Sequence, residues 1–127
     1  MKIRVSEVIS DANTIRVSFH SPVGSGTALW MGISPAIGEE QDVELDLDEV
    51  FTWGKNIIPS SRKTPKINII NGLTQITAQI IQNPDGEWTA LKLGDSIVLI
   101  ELDELPTQKS GFVELKATKI HLYPTSI

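Results

Sequence analysis

Apolar and polar residues alternate with a period of two over much of the chain, which is typical of strands that bury one face. Between residues 2 and 20 this pattern forms two segments, which are separated by the turn-forming residues 10 to 13. We therefore predict an antiparallel hairpin in this region. The residues expected to face inward are Ile3, Val5, Ile15, Val17 and Phe19.

The most regular alternation lies at residues 41 to 48, where apolar residues alternate with acids and predict a strand. The following residues, 49 to 54, fit either an extension of this strand or one short helical turn. Earlier in the chain, a glycine-rich and proline-containing loop at residues 22 to 26 precedes a short apolar run at residues 28 to 31, which predicts a buried strand. The buried face of the 41 to 48 strand is expected to contain Val43, Leu45 and Leu47.

Turn-forming pairs divide the second half of the chain. Residues 55 to 66 contain two prolines, two serines and four cations and predict an exposed connection. Residues 67 to 81 are rich in isoleucine and are interrupted by Asn71-Gly72, a pair that predicts either a tight turn between two short strands or a bulge. The sequence Asn83-Pro84-Asp85-Gly86 predicts a hairpin turn.

The last third of the chain contains two further strand patterns. A nearly continuous apolar run at residues 97 to 102 predicts a central strand that is covered on both faces. Alternation resumes at residues 113 to 118, and its parity slips near Lys119, which predicts a bulge in a strand that ends at Pro124.

These segments together predict one all-β domain over residues 1–127, with about seven to nine short strands and at most one short helical turn. Regularly spaced turns favour a small antiparallel barrel, OB-like in its layout, or a compact sandwich. Composition agrees, because 17 Ile, 8 Val and 10 Thr outnumber 6 Ala, and β-branched residues suit a pleated surface.

Charge and cysteine content narrow the expected environment and partners. The chain has no cysteine, which excludes disulfides and cysteine-based metal sites and is compatible with a reducing compartment. No stretch has the length and apolarity of a membrane span or a signal peptide, so we expect a cytoplasmic protein without a membrane partner. The formal net charge of −5 opposes a large phosphate-binding surface and favours a basic protein partner over nucleic acid.

The densest chemical feature is acidic, with seven carboxylates between residues 39 and 49. Alternate residues of a strand lie about 6.5 to 7 Å apart, which is too far for a two-metal site, so we expect no metal or other cofactor. One interpretation is a solvated face that protects an edge strand from wrong pairing. The other is a surface that docks on a basic partner. The docking residues would be Asp42, Glu44, Asp46, Asp48 and Glu49.

A smaller basic group follows in the predicted loop after residue 52. It is either a solvated loop or a contact for single-stranded nucleic acid, in which an aromatic ring stacks on bases and cations bind phosphates. The residues of this second surface would be Trp53, Lys55, Arg62, Lys63 and Lys66.

Motifs for catalysis are missing from the sequence. There is no nucleophile elbow and no glycine-rich phosphate loop, and His20 and His121 lie near the ends of predicted strands without a patterned partner. We therefore predict a non-enzymatic binding domain, most simply an acidic inhibitor or immunity-type protein that covers a cationic toxin or nuclease site. The alternatives are an OB-like module for single-stranded nucleic acid and a subunit of a larger assembly, homo-oligomers included, that meets a neighbour near Trp30.

Overall fold

The alternating sequence forms strands throughout the part of the chain that the computed structural model describes, residues 1–82, 89–104 and 111–125. These ranges contain twelve strands and no helix, so the all-β prediction is confirmed, whereas the predicted number of strands was too small. The strands are β1 (Lys2–Asp11), β2 (Thr14–Ser21), β3 (Gly24–Trp30), β4 (Glu40–Leu47), β5 (Val50–Phe51), β6 (Ile57–Ser60), β7 (Lys66–Ile70), β8 (Leu73–Gln82), β9 (Thr89–Leu93), β10 (Ser96–Leu102), β11 (Phe112–Ala117) and β12 (Ile120–Pro124).

Five of these strands close into a barrel. β1 pairs antiparallel with β2 and with β4, and β2 pairs antiparallel with β3. β12 completes the ring, because it runs parallel to β3 on one side and antiparallel to β4 on the other. Each barrel strand therefore has a neighbour on both sides, which removes most of the exposed edge that an open sheet would have.

The seven strands between β4 and β12 continue the same twelve-stranded sheet beyond the barrel, and we call this part the second sheet. Its order is β7-β8-β9-β10-β5, and β11 pairs with the long strand β8 and carries β6 on its outer side. The second sheet joins the barrel through the parallel pairing of β3 with β7, at Gly24 and Ile67. The buried apolar residues of both parts belong to one cluster, so the barrel and the second sheet share a continuous core.

The close approach of β3 to β7 explains why glycines lie inside a strand. The Ile67 N–H donates to the Val23 carbonyl at 2.8 Å. A Cβ atom on Gly24 would lie 1.9 Å from the Ile67 carbonyl oxygen, and one on Gly26 would lie 3.1 Å from the Phe19 ring. The sequence-based prediction of a loop at residues 22 to 26 was therefore wrong beyond Val23, because these glycines serve packing within a strand.

Several local predictions are confirmed. β1 and β2 form the hairpin between residues 2 and 20, although a bulge between Val5 and Glu7 shifts their register. Asn71 and Gly72 connect β7 to β8 with φ angles of 53° and 79°, the positive values that a two-residue hairpin turn requires. Residues 79–82 of β8 pair antiparallel with residues 89–92 of β9, but the predicted turn at residues 83–86 lies outside the described residues.

Three local predictions were wrong. The predicted connection at residues 55 to 66 contains β6, in which Ile57 is fully buried, and Pro59 fits there because β11 is the only strand that pairs with it among the described residues. The predicted bulge near Lys119 is a break between two strands, since β11 belongs to the second sheet and β12 to the barrel. The run at residues 97 to 102 is not covered on both faces, because Ile97 and Leu99 are more than half exposed.

Residues 49 to 54, for which the sequence left two conformations open, form the two-residue strand β5 followed by a turn. In the ranges that are described, no helix has the length and apolar character needed to cross a membrane.

Candidate functional site

The acidic residues of β4 lie in a row on the outer surface of the barrel. Val43, Leu45 and Leu47 are buried in the core, so strand alternation directs the intervening acids outward. Asp42, Glu44 and Asp46 are all exposed. None of these three carboxylates forms an ion pair or a side-chain hydrogen bond within the described part of the chain, and therefore their charges are free to meet a partner.

β4 pairs with a different neighbour along each part of its length. Residues 40–42 pair with β1 on one side, and residues 43–47 pair with β12 on the other. Residues 44–47, which include Glu44 and Asp46, therefore have a ladder partner on one side only among the described residues, so the interpretation of the acids as protection of an edge still applies to this half of the strand.

The last two acids of the predicted set lie beyond β4 and differ from each other. Asp48 is exposed, and its backbone N–H donates to the Lys119 carbonyl at 3.0 Å. Glu49 is half-buried, and its carboxylate accepts hydrogen bonds from the Thr118 N–H at 2.7 Å, the Lys119 N–H at 3.2 Å and the Thr118 hydroxyl at 3.2 Å. Glu49 thus holds the break between β11 and β12, and we leave it out of the candidate docking surface.

Two aromatic residues of β12 flank the acidic row. Tyr123 is the cross-strand partner of Glu44, and His121 is the partner of Asp46. The His121 and Tyr123 rings are 6.4 Å apart between centroids and meet at 66°, in an edge-to-face arrangement. Tyr123 is 38% exposed, so a partially buried aromatic ring lies beside the carboxylates.

A groove opens on the other side of the acidic row, between β4 and β10. It has a volume of about 640 Å³. Glu44 and Asp46 line one wall, and Ile97 and Leu99 of β10 line the other, where they are 57% and 56% exposed. No ladder joins β4 to β10 in the described ranges, so this apolar wall lies against a carboxylate row without covering it.

Sequence reasoning missed this groove. The one usable signal was the apolar run at residues 97 to 102, whose length suggested burial on both faces. In the structure its alternate residues Val98 and Ile100 are buried, whereas Ile97 and Leu99 face the groove. The position of β10 beside β4 depends on long-range packing, and therefore no local pattern indicates it.

The basic residues of the alternative site lie at the two ends of β6 and at the start of β7. Lys55 lies on the turn before β6, and Arg62 and Lys63 follow the end of β6. A strand of four residues is about 13 Å long, so Lys55 is separated from the other two by about that length of strand. The Arg62 Nε atom lies 4.0 Å from a carboxylate oxygen of Glu114. Lys66 is exposed at the start of β7.

Trp53 is a poor platform for stacking in this arrangement. Its ring is partly buried and packs against the core, and its indole N–H is buried without a hydrogen-bond partner among the described residues. Base stacking requires an exposed aromatic face, so packing against the core weakens the case for a nucleic-acid contact here.

Lys2, Arg4 and His20 line a smaller pocket with Glu40 on the barrel surface. The Arg4 guanidinium donates to Glu40 at 2.7 Å. This hydrogen bond, together with the positive charge of Arg4, lowers the pKa of the Glu40 carboxyl. The pair accounts for Glu40, and it separates that acid from the unpaired row of Asp42, Glu44 and Asp46.

One hydroxyl and one imidazole lie close enough to interact on the same surface. The His20 Nδ1 atom and the Ser25 Oγ atom are 2.5 Å apart, and the two residues are cross-strand partners. The carboxylate in the same pocket, that of Glu40, bonds Arg4 rather than the imidazole. The Ser21 hydroxyl, next to His20 in the sequence, donates to the Gly24 carbonyl at 2.8 Å and serves the turn.

The segment after Trp30 is exposed and apolar. Trp30 itself is buried, and its indole N–H donates to the Ile33 carbonyl at 2.8 Å. Ile33 and Ile37 are 92% and 69% exposed in the loop that leads to β4. The predicted contact of a larger assembly near Trp30 would therefore involve this loop rather than the tryptophan.

Within the residues the structure describes, no group of three or more His, Asp or Glu side chains is arranged to hold a metal ion. No protein-family model matches the chain, and neither do curated proteins or solved structures.

Proposed function

We propose that this chain is a non-enzymatic binding domain that docks on a basic protein partner through the outer face of β4. The observation that carries the proposal is the row of Asp42, Glu44 and Asp46, exposed on one face of a strand and without an ion pair in the described residues. Asp48 extends the row beyond the end of the strand.

Electrostatics supports a role in association. The row concentrates a large part of the negative charge of a chain whose net charge is −5, and the local field attracts a cationic surface and raises the rate of encounter. The carboxylates are exposed and unpaired, so a partner's cations would replace water rather than an existing intramolecular bond.

The rigidity of the strand supports specificity. β4 is hydrogen-bonded into a closed barrel by β1 and β12, and its extended backbone places alternate carboxylates at intervals of about 6.5 to 7 Å. Tyr123 lies beside Glu44 and offers an amphipathic anchor of the kind that is enriched in binding hot spots. A concrete form of the proposal is an inhibitor or immunity-type protein that covers a cationic toxin or nuclease site.

The test compares two charge reversals of equal size. In the first variant, Glu44→Lys and Asp46→Lys reverse the centre of the row. In the control, Glu7→Lys and Asp11→Lys reverse two exposed acids of β1 that lie outside the row. Partners retained by the wild type from a native lysate are identified, and the association rate of each is then measured at several salt concentrations.

We expect the first variant to lose about tenfold or more in association rate at low salt, with a weaker salt dependence, because steering by charge acts on encounter. The control should lose far less. Equal rates for the two variants, or a retained partner that is acidic, would contradict the proposal.

A second candidate is an OB-like module that binds single-stranded nucleic acid. It is favoured by the closed ring of five strands, which is the strand number of an OB barrel, but fold alone does not establish function. The packing of Trp53 against the core gives it less support than the acidic row receives. Salt-dependent binding of a labelled oligothymidine that Lys63→Glu abolishes would favour this candidate.

A further inference from the structure

We infer that the groove between β4 and β10 binds an extended segment of the partner in which basic side chains alternate with apolar ones. This inference rests on the proposed docking surface, and it specifies the chemistry of the segment that would occupy it. It starts from the two unlike walls of the groove, carboxylates on β4 and aliphatic side chains on β10.

The β10 wall provides the apolar contact. Ile97 and Leu99 are each more than half exposed, although they lie in the middle of a strand whose alternate residues are buried. Two adjacent aliphatic side chains on one strand face form a continuous apolar strip, and burying that strip against another apolar surface is favourable.

The β4 wall determines the charge of the occupant. Glu44 and Asp46 line the groove, and neither is neutralised by a cation among the described residues. A purely apolar segment would leave these carboxylates near an apolar surface without compensation. An arginine or lysine satisfies both walls, because its methylene groups cover apolar surface while its charged head reaches the acids.

Tyr123 favours arginine over lysine at this position. Its ring also lines the groove, beside Glu44. A guanidinium can stack on an aromatic face and at the same time donate two hydrogen bonds to a carboxylate, whereas an ammonium is a point charge.

A second copy of this chain fits the groove poorly. A symmetric contact would bring the same acidic row of each copy near the other, and each copy has a net charge of −5. Like charges at a contact oppose association, so the occupant is a different, basic chain.

Two peptides of equal charge test this inference. One is a capped heptamer that alternates arginine with leucine, and the other alternates arginine with serine. The proteins are the wild type, the variant with Ile97→Ser and Leu99→Ser, and a control with Ile69→Ser and Ile70→Ser, which replaces an exposed aliphatic pair on β7. Affinities are measured by isothermal titration calorimetry at two salt concentrations.

We expect the wild type and the β7 control to bind the leucine peptide at least tenfold more tightly than the serine peptide. The β10 variant should lose this difference and keep its affinity for the serine peptide. Equal affinities of the wild type for both peptides would overturn the groove while leaving charge-based docking intact. A third variant, Glu44→Gln with Asp46→Asn, should bind both peptides more weakly, and unchanged affinities would overturn both proposals.

Sedimentation of the wild type and the β10 variant tests the other candidate occupant, a second copy of this chain. A monomer over the concentration range of the binding experiment supports the inference. A dimer that the β10 substitutions dissociate would overturn it in favour of a second copy.

Discussion

Substitution of Gly24 by alanine should lower stability far more than a Gly→Ala change at a glycine that also has a positive φ but has open space around it. Gly24 has a φ of 133°, and its ideal Cβ position is 1.9 Å from the Ile67 carbonyl oxygen. Ordinary van der Waals contact begins at 3.4 Å, so β3 and β7 would have to separate by about 1.5 Å. This is the point at which the barrel meets the second sheet.

Three contributions determine the size of the effect. Forcing a side chain into this backbone region costs about 1 to 3 kcal/mol. Loss of the Ile67 N–H bond to Val23 costs about 0.5 to 1.5 kcal/mol. Displacement of a packed strand adds about 1 to 3 kcal/mol, as other overpacked cores do. With partial relaxation, we expect Gly24→Ala to lower the free energy of unfolding by about 3 to 5 kcal/mol.

Urea unfolding at 25 °C gives the measurement, and Gly72→Ala gives the control. Gly72 also has a positive φ, 79°, but a Cβ there meets nothing within 4 Å, so only the conformational cost of about 1 to 2 kcal/mol applies. With a slope of about 2 kcal/mol/M, the urea midpoint should fall by about 1.5 to 2.5 M for Gly24→Ala and by less than about 1 M for Gly72→Ala. Equal losses would refute the argument that contact with Ile67 requires glycine.

Two further predictions concern single carboxylates. Glu49→Ala should lower the free energy of unfolding by about 1 to 2 kcal/mol, because three hydrogen bonds from Thr118 and Lys119 lose their acceptor. The control Asp48→Ala, measured by the same urea unfolding, should change the free energy of unfolding by less than about 0.5 kcal/mol. Arg4→Gln should raise the pKa of Glu40 in an NMR titration, since the hydrogen bond and charge that lower it are removed. A carboxyl whose pKa is lowered by folding stabilises the fold above its unfolded-state pKa, and this contribution disappears as pH falls through its folded-state pKa. The wild type should therefore lose its stability advantage over Arg4→Gln in acid. An unchanged Glu40 titration in the variant would contradict the assignment of the shift to Arg4.

Local patterns predicted the strands in which alternation is strict and both kinds of residue are strongly marked. β4 is the clearest case, since Val43, Leu45 and Leu47 are buried and the acids between them are exposed. The Asn71-Gly72 turn was predictable for a different reason, because two consecutive positive φ angles need residues that tolerate them.

The failures have physical causes that a single sequence does not contain. Gly24 and Gly26 looked like loop residues because the contact that requires them comes from Ile67, more than forty positions later. Ile57 lay in a segment with two prolines and four cations, which concealed a short edge strand. In both cases the tertiary contact outweighs the local preference.

The candidate site shows the same division between local and long-range information. The acidic row could be read from residues 41 to 48, since its geometry follows from strand alternation alone. The aromatic ring and the apolar wall beside the row could not be read from the sequence. Tyr123 reaches Glu44 through the closure of the barrel, and Ile97 reaches the groove through the packing of the second sheet. Glu49 illustrates the converse, because it belongs to the acidic run in sequence but binds Thr118 in the fold.

The exposed apolar wall of the groove bears on why the acids of β4 remain unpaired. Protection from edge-to-edge pairing accounts for the charges of Glu44 and Asp46, where β4 has a ladder partner on one side only among the described residues, but it does not account for the apolar wall beside them. Solvation alone would be served by any polar residues, and it gives no reason for Ile97 and Leu99 to be exposed next to them. A basic and partly apolar segment accounts for both walls at once, since it neutralises Glu44 and Asp46 while it covers the aliphatic strip.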